Sequence, residues 1–144
     1  MTGIDRHLAD VRAGLDRLGP HDALRAVREE GALLVDTRPE ATRRAEGTVP
    51  GALLIERNHL EWRCDPASEG ALPQAARTDV RWIVFCDEGY ASSLAAASLR
   101  TIGLSRATDL AGGFRAWRAA GLPVTPPAAG AGADVDSGAD AGTG

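Results

Sequence analysis

Apolar residues open the chain at a helical spacing. Ile4, Leu8, Val11, Leu15 and Leu18 lie alternately four and three residues apart, which places them on one helical face. The pattern predicts an N-terminal helix, residues 1–16, packed on the domain that follows. Gly19-Pro20 then marks a new start, because proline suits a first helical turn. A second helix is expected from His21 to Glu30, stopping at Gly31. Four short apolar runs read as strands: Ala32–Val35 (closed by Asp36), Gly51–Ile55, Trp82–Cys86 and the weaker Ala107–Leu110. They lack polar alternation, as expected of strands covered on both faces of a parallel sheet. Ser92–Ile102, rich in Ala and Leu and closed by Gly103, reads as a helix, and so does Phe114–Ala120 before Gly121 and Pro123. Strands separated by helices predict an α/β fold with a mainly parallel sheet.

Composition narrows the classes. The 144 residues suffice for one domain with a single core. From Pro126 onward the chain is Ala, Gly, Asp, Ser, Pro and Thr, with one Val, too little apolar surface to offset ordering entropy. Residues 126–144 are therefore expected to be a disordered tail, and residues 17–125 the folded domain. The formal net charge of −4 argues against a nucleic-acid partner. All sixteen basic residues are Arg, which excludes Schiff-base and lysine-base chemistry. No apolar run approaches a membrane span, and residues 1–18 lack the apolar stretch of a signal peptide, so a cytoplasmic location without membrane association is expected. His7, His21 and His59 are dispersed and make no zinc spacing with the two cysteines. No metal and no cofactor is expected. His59 stays open as a proton carrier near the cleft.

The chemistry concentrates in Trp82-Ile-Val-Phe-Cys86-Asp-Glu-Gly89-Tyr-Ala-Ser92. A strand ends in a cysteine, a short glycine-containing loop follows, and a helix begins. Ligands of parallel sheets bind beyond the carboxyl ends of strands, where Cys86 falls. Unpaired N–H groups and the positive end of the following helix can face the thiol and favour its thiolate. Gly89 lets the loop curl so that successive N–H groups form an anion nest. Ser92 is a suitable N-cap, and its hydroxyl is within reach of the sulfur. Cys64 reads either as a passive thiol or as a resolving thiol for Cys86. Trp62, Trp82 and Trp117 read as core or edge aromatics.

Five stations stand in order: Leu34-Val-Asp36-Thr-Arg38, Gly47-Thr-Val-Pro-Gly-Ala52, Cys86-Asp-Glu-Gly-Tyr-Ala-Ser92, Leu110-Ala-Gly-Gly-Phe-Arg-Ala-Trp117 and Gly121-Leu-Pro-Val124. This series resembles the single-domain rhodanese family over about Leu18 to Val124. The resemblance implies a five-stranded, mainly parallel sheet flanked by helices on both faces. It implies Cys86 as the catalytic thiol, with Asp87, Glu88, Gly89, Tyr90, Ala91 and Ser92 as the substrate cradle. The implied activity is transfer of a sulfane sulfur from thiosulfate or a related small donor to a thiol or cyanide, through a Cys86 persulfide; a protein sulfur acceptor stays open.

The sequence departs from the family pattern in places. Family members often carry Arg late in the loop, where this chain has Ala91. Asp87 and Glu88 put negative charge beside the thiolate, which opposes a dianionic donor unless outside arginines compensate. Arg38, Arg43 and Arg63 are the candidates, with Arg38 and Arg63 assigned to substrate binding; Asp36 and Arg38 also suit the family's structural polar contact. Thr48 stands where His is frequent. Two further readings compete: a non-catalytic binding or regulatory module on the same fold, and a cysteine-loop phosphatase or arsenate reductase. The latter use a Cys-x5-Arg loop, and here Ser92 occupies the arginine position.

Overall fold

The computed structural model describes residues 1–127. Its elements run α1 (Gly3–Ala13), α2 (Pro20–Glu30), β1 (Leu33–Asp36), α3 (Glu40–Glu46), β2 (Leu53–Leu54), a 3₁₀ turn (Arg57–His59), α4 (Leu60–Cys64), β3 (Trp82–Phe85), α5 (Ala91–Thr101), β4 (Thr108–Asp109) and α6 (Gly113–Ala119). The sheet order is β2-β1-β3-β4, and every pairing is parallel. The four runs expected to be strands all pair. Among the described residues the sheet has four strands where five were expected. Leu18 makes only a single parallel bridge to Leu110 beyond β4, because the chain turns into Gly19-Pro20 directly afterwards.

Side-chain alternation along the strands explains the helices on both faces. In β3, Trp82 and Val84 point to one core with Leu60, Cys64, Ala95 and Leu99 of α4 and α5. Ile83 and Phe85 point to the other, with Ala23, Ala26, Phe114 and Trp117 of α2 and α6. All four β3 residues are buried, which is why the run carries no polar alternation. Each fully buried large side chain contributes about 2–3 kcal/mol of transfer free energy. Trp117 also satisfies its indole, Nε1 donating to the Pro123 carbonyl at 2.8 Å.

α2 ends as expected, with Gly31 left-handed at its C-cap. α1 is shorter than its apolar pattern. A Thr2–Asp5 capping box starts it, and it stops at Gly14, so Leu15 and Leu18 lie outside the helix. Ile4 is exposed, and no residue of α1 is fully buried. The helix lies against α5 with Leu8 and Val11 half-buried and Arg12 Nε donating to Ser93 Oγ at 3.0 Å. α3 and α4, both short, were not anticipated. After α6 the chain returns to residue 48, where Thr48 and Thr125 exchange two backbone hydrogen bonds of 2.9 and 2.7 Å. Of the expected tail, residues 128–144 lie outside the described residues.

Candidate active site

β1 and β3 are neighbours in register, Asp36 beside Phe85, so their carboxyl ends bring Asp36–Arg38 and Cys86 to one edge of the sheet. Cys86 is partly exposed at the floor of a cleft of about 530 Å³. Thr37, Arg38, Thr42 and Glu46 line one side of the cleft, and Arg57, Glu88, Tyr90 and Arg115 contribute to the rest.

The loop from Cys86 to Tyr90 wraps the sulfur. The Gly89 N–H donates to Cys86 Sγ at 3.2 Å and the Ser92 N–H at 3.3 Å. These donors face the thiol because most of the loop's carbonyls are held elsewhere. The first turn of α6 takes two of them: the Phe114 N–H donates to the Cys86 carbonyl at 2.9 Å, and the Arg115 N–H to the Asp87 carbonyl at 3.1 Å. Gly89 has φ +92°, and a Cβ there would lie 2.6 Å from the Gly112 nitrogen. Gly113 is equally confined, since its Cβ would meet the Cys86 carbonyl at 2.6 Å. The Gly112-Gly113 pair is thus the partner surface on which the loop packs. N–H donors gathered at the start of an eleven-residue helix make a site for an anion delivered beside the sulfur.

Six consecutive loop residues were expected to form the cradle, and they divide. Gly89 and Ser92 supply the donors to sulfur, whereas Asp87, Glu88, Tyr90 and Ala91 line the cleft. Ser92 is not the N-cap; Tyr90 is. The Ser92 hydroxyl does not reach the sulfur either, but donates to the buried Asp109 carboxylate at 2.8 Å, as does that of Ser93. Burial of Ser92 inside the α5–sheet interface leaves its side chain no path to the cleft.

The arginines are sorted by burial. Arg38 is 2% exposed and grips Asp36 through Nε and Nη2, with Nη2 also on the Gly47 carbonyl at 2.8 Å. Its guanidinium stacks 3.9 Å from the Phe114 ring. Only Nη1, without a hydrogen-bond partner among the described residues, is left toward the cleft, 3.8 Å from Asp87 Oδ1. Arg38 is therefore chiefly the structural contact. Arg43 is buried and holds the Arg38 carbonyl. Arg63 is not at the site: it projects from α4 to the Gly70 carbonyl at 3.2 Å, away from the cleft's lining. His59 is likewise absent from that lining. The cleft's accessible cations are Arg57 and Arg115, both missed at the sequence level. Arg115 sits inside the Gly112–Trp117 station, and its address one turn from the Gly-Gly pair was the available clue.

The acidic pair is also not as bare as its sequence implies. Arg115 Nε binds Asp87 Oδ2 at 2.7 Å and lies 4.0 Å from Glu88. Partial burial pushes the Asp87 carboxyl up, but Arg115, Glu46 and Arg38 outweigh it and hold the group below the usual carboxylate range. Cys64 behaves oppositely. It is fully buried, and burial together with nearby Glu61 pushes its thiol up to about 12. That reading favours the passive thiol. Among the described residues no cluster of His, Cys, Asp and Glu could hold a metal ion.

A cysteine at a parallel strand's carboxyl end, enclosed by a glycine loop that feeds a helix, defines a cysteine-loop α/β protein. The chain belongs to the rhodanese family: residues 20–120 match the family described as Rhodanese-like domain. It is 34% identical over 99 residues to the thiosulfate sulfurtransferase GlpE of Pseudomonas fluorescens, covering 69% of this chain and 82% of that one. It is 33% identical over 98 residues to a sulfurtransferase of Allochromatium vinosum, covering 68% and 82%. A Rhodopseudomonas palustris structure, described as a protein of unknown function and possible tyrosine phosphatase, aligns with TM-score 0.76 and 30% identity over 86% of this chain and 95% of that one. No described helix is long and apolar enough to cross a membrane.

Proposed function

We propose that this protein is a sulfurtransferase that carries a sulfane sulfur on Cys86. The Cys86 thiolate attacks the outer sulfur of a donor such as thiosulfate. A new S–S bond forms, and the donor's own S–S bond breaks, its electron pair leaving with sulfite. The resulting persulfide is attacked at its outer sulfur by cyanide or a thiol. That acceptor leaves with the sulfur as thiocyanate or a persulfide, and the Cys86 thiolate returns. The observation that carries the reading is the pair of N–H groups on Cys86 Sγ at the floor of an open cleft. Donors fixed in this way lower the energy of charge on the transferring sulfur. The relatives named thiosulfate sulfurtransferase support the same chemistry.

Arg57 and Arg115 are the groups placed to meet an anionic donor. The name of the Rhodopseudomonas palustris protein makes phosphatase activity the reading to exclude. Against it, residue 92 is a serine whose side chain is committed to Asp109, so no guanidinium at that position clamps a phosphoryl group. The test is mass spectrometry of the protein after thiosulfate or 3-mercaptopyruvate, with p-nitrophenyl phosphate assayed in parallel. We expect a gain of one sulfur on the peptide containing Cys86, thiocyanate on adding cyanide, and neither in Cys86→Ser of unchanged melting temperature. A wild-type chain that gains no sulfur from either donor would favour the binding-module reading, and turnover of the phosphate ester would favour the phosphatase.

A further inference from the structure

The third tied carbonyl of the loop is held differently from the first two. The Gly89 carbonyl accepts from two guanidinium groups, Arg12 Nη2 at 2.7 Å and Arg17 Nη2 at 3.0 Å. Arg12 comes from the last turn of α1 and Arg17 from the segment that joins α1 to α2. Both precede residue 20, where the match to the family begins. Each guanidinium is itself fixed from behind. Arg12 Nε donates to Ser93 Oγ at 3.0 Å, and Arg17 Nε to Asp109 Oδ1 at 2.9 Å. Asp109 is fully buried and also accepts from Ser92 and Ser93, so one carboxylate collects the whole back of the loop. Arg12 further lies over the Tyr90 ring, 5.6 Å from its centre.

The consequence follows from the planarity of the peptide. Gly89 and Tyr90 share one trans unit, so fixing the Gly89 carbonyl on the arginines turns the Tyr90 N–H away from them. The unit before it carries the Gly89 N–H that donates to sulfur. The Cys86 and Asp87 carbonyls are held by α6, the Tyr90 carbonyl accepts from the Ser93 N–H at 3.2 Å, and the Glu88 carbonyl is turned away from sulfur by the Gly89 N–H that shares its peptide unit, so the Gly89 carbonyl is the one whose swing toward the thiolate would oppose its charge. Gly89 is also the residue whose backbone is freest to let it do so. Two cations placed on that carbonyl hold it on the far side and add positive charge beneath an anion site.

We propose that Arg12 and Arg17 are positioning residues for the anion cradle around Cys86, a brace supplied by the N-terminal segment rather than by the family's own motifs. The inference rests on the sulfurtransferase reading only for what the cradle serves; the brace itself can be read without a sulfur donor. The experiment compares Arg12→Gln, Arg17→Lys and the double variant. Lysine at 17 keeps a cation against Asp109 but cannot fork to both partners. Three quantities are measured: melting temperature, the rate at which iodoacetamide alkylates Cys86, and single-turnover persulfide formation from thiosulfate.

Either guanidinium alone can hold the carbonyl, so each single variant should lose about threefold in both rates. The double should lose about thirtyfold, more than the product, against the roughly 10²–10³ that one oxyanion donor is worth elsewhere. Guanidinium ion added below denaturing concentration should restore part of the double variant's rate. A folded double variant within twofold of wild type in both rates overturns the proposal. If the double variant does not fold, the singles decide: lowered rates at unchanged melting temperature uphold the brace, and unchanged rates overturn it. If alkylation falls as expected while the wild type forms no persulfide, the brace stands and the sulfurtransferase reading fails.

Discussion

At the scale of single residues, the site turns on which groups have room to move. Gly89 has none. Its φ of +92° strains any other residue by about 1–3 kcal/mol, and a Cβ would press on backbone atoms of Gly112 and Gly113 that cannot swing aside. Reasoning from the loop's conformation alone, a substitution there should damage sulfur transfer far more than stability. The close approach of the Gly112-Gly113 turn changes that expectation. Gly89→Ala should lower the melting temperature by roughly 5 °C or more and slow persulfide formation by about 10²-fold. Calorimetry and single-turnover kinetics on one preparation check both, and a variant normal in both would show the loop to be tolerant. Asp87 is the opposite case, a side chain with a partner to lose. Asp87→Asn should release Arg115 toward the cleft and raise kcat/KM for thiosulfate about fivefold, if one neighbouring charge is worth about 1 kcal/mol. Because Asp87 is held below the usual carboxylate range, it stays ionised through mild acid, and the wild type should show no such gain between pH 7 and 5. A lower kcat/KM in Asp87→Asn would mean that the carboxylate serves to aim Arg115. Cys86 and Gly89 were legible as a pair because their meaning is local. The partners of Asp87 were not, since Arg115 is 28 residues away and reaches it only through the packing of α6.

At the scale of elements, the two cysteines show how a helix and a loop give one residue type two characters. Cys64 closes α4 against the sheet, fully buried, and Cys86 opens a loop beneath a helix start. Native protein should therefore release one equivalent of thionitrobenzoate from Ellman's reagent and denatured protein two; two rapid equivalents in the native state would contradict the burial of Cys64. The same burial sets a pH dependence. With the folded thiol near 12 against an ordinary 9.0, the folded state holds more protons than the unfolded state between those values. Stability contributed by Cys64 is thus intact below about pH 9 and lost as pH rises toward 12, by up to about 1.4 kcal/mol per unit. Urea unfolding at pH 8 and 10 should show a steeper loss for wild type than for Cys64→Ala; parallel slopes would show the thiol to ionise freely. α1 is shorter than its sequence pattern. Gly14 ends the helix before Leu15 and Leu18, and of the apolar face only Ile4 is exposed, the other four residues being half-buried. Its side-chain hydrogen bonds to the domain run through Arg12.

At the scale of the whole molecule, the ends of the described chain close on the middle. Thr125 pairs with Thr48, and Pro123 takes the indole hydrogen of Trp117, so the segment after α6 belongs to the second core. Removing residues 128–144, poor in large apolar side chains, should leave both melting temperature and sulfur transfer unchanged. A chain cut after Leu122 should melt several degrees lower, because it leaves a buried indole N–H without an acceptor and strips the Thr48 bridge. Equal melting of the two truncations would show that the Thr48–Thr125 bridge contributes nothing measurable.

The strand runs, the helices α2, α5 and α6, and the strand–cysteine–glycine–helix order were all readable from the chain, because burial on two faces, glycine stops and helix starts act within a few residues of their cause. The strand order β2-β1-β3-β4, the shortfall to four strands and the direction of each arginine were not. A guanidinium reaches whatever carbonyl or carboxylate the fold brings near it, and for Arg12, Arg17 and Arg115 those partners lie 28 to 92 residues away along the chain. Local pattern determined where the thiol stands. Tertiary packing, by settling which carbonyls and which charges face it, decided what surrounds it.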